Sequence, residues 1–142
     1  MDLTDKQKEN LDEVVKAQLP AIEKTEFTVA YKALGKEARP IQITQNEFAR
    51  RMKEMSQMQP GMAFYGEMPD TYQVALNIDH PLIAGMISET ETKEKETLPQ
   101  YALENKTLHQ LIDLALLSNG MLKGAALNDF IKRNYEGLSK DK

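Results

Sequence analysis

The sequence contains no cysteine and no tryptophan. Without cysteine there is no disulfide framework, no thiolate zinc or iron–sulfur site and no cysteine nucleophile. Glycine is sparse, seven in 142 residues, and scattered at turns. It forms neither G-x-x-x-x-G-K-[ST] nor G-x-G-x-x-G, so no phosphate cradle is written here. There are two histidines, His80 and His109, and neither is accompanied by the G-x-S-x-G elbow of a serine hydrolase. No apolar run approaches the ~20 residues of a membrane span, and the start, MDLTDKQKENLDEVV, is too charged for a signal peptide. A soluble, cytoplasmic protein is the expectation. An excess of basic charge is missing as well: 18 Lys and Arg stand against 22 Asp and Glu, a net charge of −4. That removes the electrostatic footprint of a nucleic-acid binder.

What remains is an ordinary globular composition, 41% apolar and 28% charged with both signs mixed, long enough for one domain with a real core. Residues 3–19 read as a helix that Thr4 or Asp5 caps and Pro20 ends, with Leu11, Val14, Val15 and Leu19 in one stripe. Residues 25–34 alternate, with Phe27, Val29 and Tyr31 in phase, as do Ile41 and Ile43 in 40–44. With Gly35-Lys36 between them, these two runs predict a hairpin. The period then switches. Over 45–58, Phe48, Met52 and Met55 fall within roughly 60° of one another on a helix, and Met58 widens the stripe. A third strand is expected at 71–78, with Tyr72, Val74 and Leu76 on one face, and then a turn or short helix from Asp79-His80-Pro81 to Ile87. The run 88–97 (SETETKEKET) reads as a solvated loop or a frayed helix start; its spacing matches no calcium loop. A helix starting between Leu98 and Lys106 runs to Ser118, where Asn119-Gly120 stops it, and a last helix covers 125–136. The order is α+β, a small three-stranded sheet packed with helices.

The strongest signal is the last pair of helices. In the first, Leu108, Leu111, Ile112, Ala115 and Leu116 form a stripe, while Leu103, Leu114 and Leu117 lie on a flank well round from it. In the second, Leu127, Phe130, Ile131, Tyr135 and Leu138 oppose Asp129, Lys132, Arg133 and Glu136. Helices apolar on so much of their circumference need covering on more than one side. Either the sheet of the same chain covers them, or two such hairpins pair as a four-helix bundle. Asn134, inside the second stripe, is either an exposed imperfection or an amide that fixes partner register. The Met-rich segment is the second candidate surface: Met52, Met55, Met58, Met62 and Met68 suit varied apolar partners, although such a stripe can equally be plain core. Rival readings are a small enzyme using Asp79, His80 or His109, a nucleic-acid module using Arg50, Arg51 and Lys53, and a monomeric structural domain.

Two segments carry a resemblance. ALNIDHPLI (75–83) and LIDLALLSNGMLKGAALNDFIKRNYEGL (111–138) resemble the C-terminal domain of HtpG, the bacterial form of the heat-shock protein 90 kDa chaperone family. The family pattern is a strand ending in Asn-x-x-His-Pro-Leu, a Leu-rich helix, a turn, and a last helix with Phe-x-x-Arg. Asn77, His80, Pro81, Leu82, Phe130 and Arg133 occupy those positions. The charged run 88–97 and the turn 119–124 (NGMLKG) depart from it. The resemblance implies one C-terminal dimerisation domain over 1–142, with a helix and sheet part at 1–97, dimerisation helices at 98–138 and a polar tail at 139–142. It implies a homodimer through Leu111, Leu114, Ala115, Leu117, Leu127, Phe130, Ile131 and Asn134. It also implies contact with unfolded or partly folded client proteins through Phe48, Met52, Met55 and Met58. Nucleic acid and membrane are not expected partners. No catalytic residue, metal or cofactor is expected in this chain, since the family binds ATP in an N-terminal domain outside it.

Overall fold

The computed structural model describes residues 3–59, 61 and 69–140. Helix α1 (Asp5–Gln18) begins with a reciprocal cap: the Gln7 amide donates to the Thr4 hydroxyl and the Thr4 amide to the Gln7 side chain. Leu11, Val14 and Val15 are buried along one face, as the apolar spacing requires, and Pro20 follows the end. Strand β1 (Thr25–Lys32), strand β2 (Ile41–Gln45), helix α2 (Glu47–Ser56) and strand β3 (Asp70–Asn77) come next.

The sheet order is β1-β3-β2, with β3 parallel to β1 and antiparallel to β2. The hairpin expected over 25–44 does not form, because β3 inserts between its two strands. Two physical reasons decide this. The central place, buried on both edges, goes to the strand that can stand full burial: Val74, Ala75 and Leu76 of β3 are buried in succession. The connection 33–40 is also no tight hairpin turn. It is pinned to the end of β3 by Asn77, which is fully buried. The Asn77 amide donates to the Gly35 carbonyl at 2.8 Å and its oxygen accepts from the Leu34 amide at 3.1 Å. Asp79 Oδ2 accepts from the Gly35 amide at 2.9 Å. Replacing Asn77 by Ala is expected to cost about 2 kcal/mol in urea unfolding, because it removes a buried side chain that bonds several part-buried backbone groups at once; a cost below about 0.5 kcal/mol would mean that the connection does not depend on it.

The register places Tyr31, Leu76 and Ile41 side by side, and Val29, Val74 and Ile43 beside them. This face takes the helices. Helix α3 (Pro81–Glu91), a 3₁₀ turn (Lys95–Thr97), α4 (Leu98–Glu104), α5 (Lys106–Ser118) and α6 (Gly124–Lys140) complete the chain. Helix α1 packs on α3, α4 and α5, and α5 crosses β2. Ile83, Leu98, Leu108, Ile112 and Leu116 close the core. The Tyr31 hydroxyl ties β1 to α1 through Asp12 and the Lys8 carbonyl. Burial first, then the bond and charge of Asp12, hold that hydroxyl well above the ordinary phenol range, so it stays a donor.

Three further expectations are corrected. The run 88–97 is not one solvated loop: α3 continues to Glu91 because Thr90 is buried, with its carbonyl bonded by Asn10. The helix toward Ser118 starts at Lys106, within the expected range, but Leu103, expected on its flank, belongs to the separate α4, split off at Asn105, whose backbone is extended and whose side chain caps α5 at the Leu108 amide. The last helix runs beyond 136 to Lys140. It follows a turn in which Gly120 and Gly124 take φ of +67° and +62°, conformations that favour glycine.

Candidate functional site

Two surfaces carry the residues singled out in the sequence. On the first, α5 buries Leu108, Ile112, Ala115 and Leu116 against the sheet, and α6 buries Phe130. Leu111 and Leu127 are half-buried. The remaining apolar side chains are partly or largely open to solvent: Leu114 and Leu117 are 44% and 42% exposed, Ile131 44%, Tyr135 69% and Leu138 66%. Leu111, Leu114, Ala115 and Leu117 line an open hollow of about 330 Å³ with Arg39, Pro40 and Ile41. Arg39 reaches the Ser118 hydroxyl at 3.2 Å on its rim. Asn134 is exposed within the chain, its amide donating to the Phe130 carbonyl. Of the proposed seam residues, then, Ala115 and Phe130 are already spent on the chain's own core.

Sequence reasoning missed two residues here. Arg133 was placed on the solvated face of α6, yet it turns in to pair with Asp113 of α5, which is buried. The readable signal was an acid set inside the apolar run LIDLALL, a placement that calls for a partner.

The second surface is α2. Asn46 caps it at the Ala49 amide, and Arg50 pairs with Glu47 and Glu54 at 2.7 and 2.6 Å. The Arg50 bond, then its charge, hold the Glu47 carboxyl below its ordinary range. Lys53 reaches Asp70 at the start of β3, at 3.0 Å. No residue of α2 is buried: Phe48 is 72% exposed and Met55 42%, while Met52 is half-buried. Met58, just past the helix, is exposed. The stripe is therefore not core. Met62, Met68 and the loop 62–68 lie outside the described residues.

The rival chemistry finds less support in the geometry. His80 uses Nδ1 to cap α3 at the Leu82 amide, and Asp79 holds the Gly35 amide. His109 lies on α5, 3.4 Å from Asp113. Among the described residues no group of three His, Asp or Glu is placed to hold a metal, and no described helix is long and apolar enough to cross a membrane. Arg50 is engaged by two carboxylates, so little of the 50–53 patch is free for phosphate.

Comparison with known proteins adds the decisive observation. The chain is 37% identical to the chaperone protein HtpG of Bacteroides thetaiotaomicron over 189 positions, which take in 94% of the chain. It is 37% identical to that of Bacteroides fragilis over 90% of the chain, and 36% identical to that of Porphyromonas gingivalis over 96%. The chain belongs to the HtpG chaperone family. It spans 27–28% of the length of these HtpG relatives, a share that fits a C-terminal domain. The matched stretch is 183–191 positions long against 142 residues here, so the HtpG relatives carry residues within it that this chain lacks. No family model and no solved structure matches.

Proposed function

We propose that this chain is the dimerisation and client-contact domain of an HtpG-family chaperone. One observation carries the first half: α6 has 17 residues, yet few of its apolar side chains, chiefly Leu127 and Phe130, meet the rest of the chain. A helix of that length is marginal by itself in water. Ile131, Tyr135 and Leu138 beside Leu114 and Leu117 make a face that a second copy can cover with the same face, giving a two-fold four-helix bundle. A standard interface hides about 1,200–2,000 Å² in total, about 800 Å² from each copy. Two differently tagged copies mixed in solution are expected to co-purify; recovery of each tag alone would count against the reading.

Client contact rests on α2. Phe48 and Met58 are large, apolar and mostly uncovered, Met55 is partly so, and methionine adapts to varied partners. The double substitution Phe48→Ser with Met52→Ser is expected to leave the fold and the associated mass unchanged. Suppression of aggregation of a heat-unfolded protein should fall roughly thirtyfold, as the loss of two apolar anchors worth about 1 kcal/mol each implies. Global unfolding of the double variant would make α2 structural instead. Because the chain spans 27–28% of its relatives, no catalytic step is assigned to its residues.

A further inference from the structure

An apolar seam does not account for the polar side chains trapped between α5 and α6. Asp113 stands in the apolar run of α5 with its side chain 9% exposed. Arg133 donates one amino nitrogen to Asp113 Oδ2 and the other to Gln110 Oε1 at 3.2 Å. The guanidinium lies over the Phe130 ring, 5.7 Å from its centroid. His109 Nε2 sits 3.4 Å from the same Asp113 oxygen, and Gln110 Nε2 reaches Asn134 at 3.5 Å.

From this geometry we infer that Asp113 and Arg133 are a positioning pair. They fix the roll and angle at which α6 leaves α5, and so set Ile131, Tyr135 and Leu138 beside Leu114 and Leu117 as one face for a second copy. The inference rests on the dimer reading. Apolar contact is non-directional, and Leu127 and Phe130, one turn apart, are few anchors against rolling. A roll of one residue, about 100°, would bring Ile131 inward in place of Phe130 and break up the exposed face. A guanidinium fork on a carboxylate and an amide accepts one geometry. Here the carboxylate is buried and the guanidinium about a third exposed, and polar pairs set among apolar side chains are known to fix register in some proteins.

The test uses the whole chain. Dissociation constants from sedimentation equilibrium are compared for wild type, Arg133→Gln, Asp113→Asn, their double variant and Arg133→Lys, with amide hydrogen exchange on each. Arg133→Gln and Asp113→Asn are each expected to weaken association roughly tenfold or more. The double variant should be no worse than either, because one pair is lost in all three. Arg133→Lys, which keeps the charge without the fork, should fall in between. Exchange should quicken in α6 while Val74 to Asn77 in β3 stay protected. Should Arg133→Gln also lose protection in β3, the milder Arg133→Lys decides. A wild-type dimer whose Arg133→Lys, Arg133→Gln and Asp113→Asn variants all bind within about twofold of it, or whose losses simply add, overturns the pair's role. A wild type that is monomeric throughout is a different result, and removes the dimer reading itself.

Discussion

Ile131→Glu is expected to leave a chain that is folded but monomeric. In the single chain Ile131 is 44% exposed, so a carboxylate there can stay in water and the fold has little to lose. In the proposed dimer the same position would lie in a dry helix seam, and two-fold symmetry would bring the new charge in twice. An unpaired buried charge costs about 3–5 kcal/mol, which is roughly a hundredfold or more in the dissociation constant. Light scattering should report half the wild-type mass while the far-ultraviolet circular dichroism stays unchanged. Lys132→Glu, one residue on and exposed, is the control: it should leave the mass as it was. Equal loss in both variants would point to net charge, not to the seam.

Leu76→Ala should have the largest effect on the fold itself. Leu76 is fully buried at the centre of the sheet, with Tyr31 of β1 on one side and Ile41 of β2 on the other. Truncation removes transfer energy and leaves a cavity that strands on both sides cannot close, so about 3–5 kcal/mol is expected. For a domain with ~5–15 kcal/mol in total, the midpoint in urea should fall by a large fraction with its slope unchanged. A change below about 1 kcal/mol would mean that Leu76 has room to relax, as an edge strand does and a central one does not.

Much of this architecture was readable from local pattern. Thr4 and Pro20 bracket α1, the alternation at 25–34 and 71–78 marks strands, and Phe48, Met52 and Met55 mark a helix. Strand pairing was not readable in the same way. Gly35-Lys36 looks like a hairpin turn, but the partners are chosen by burial of β3 and by Asn77, forty residues or so away in sequence. The charged run hid Thr90, which is buried and whose carbonyl accepts from Asn10 of α1. On the candidate surfaces the apolar stripes were legible, and their exposure was not: only the fold shows that Phe48 is uncovered while Ala115 and Phe130 are taken up by the core. Arg133 was misplaced because helical spacing gives it a polar side, and the pull of Asp113 comes from another helix.

The central claim is that α5 and α6 hold two copies of this chain together. Sedimentation equilibrium over a hundredfold range of concentration tests it most directly. The account predicts a mass of twice 16.1 kDa that persists to about 1 µM, as a standard-sized interface with apolar anchors allows. A 16.1 kDa species at every concentration would contradict it, and would leave the exposed faces of α5 and α6 without their proposed partner.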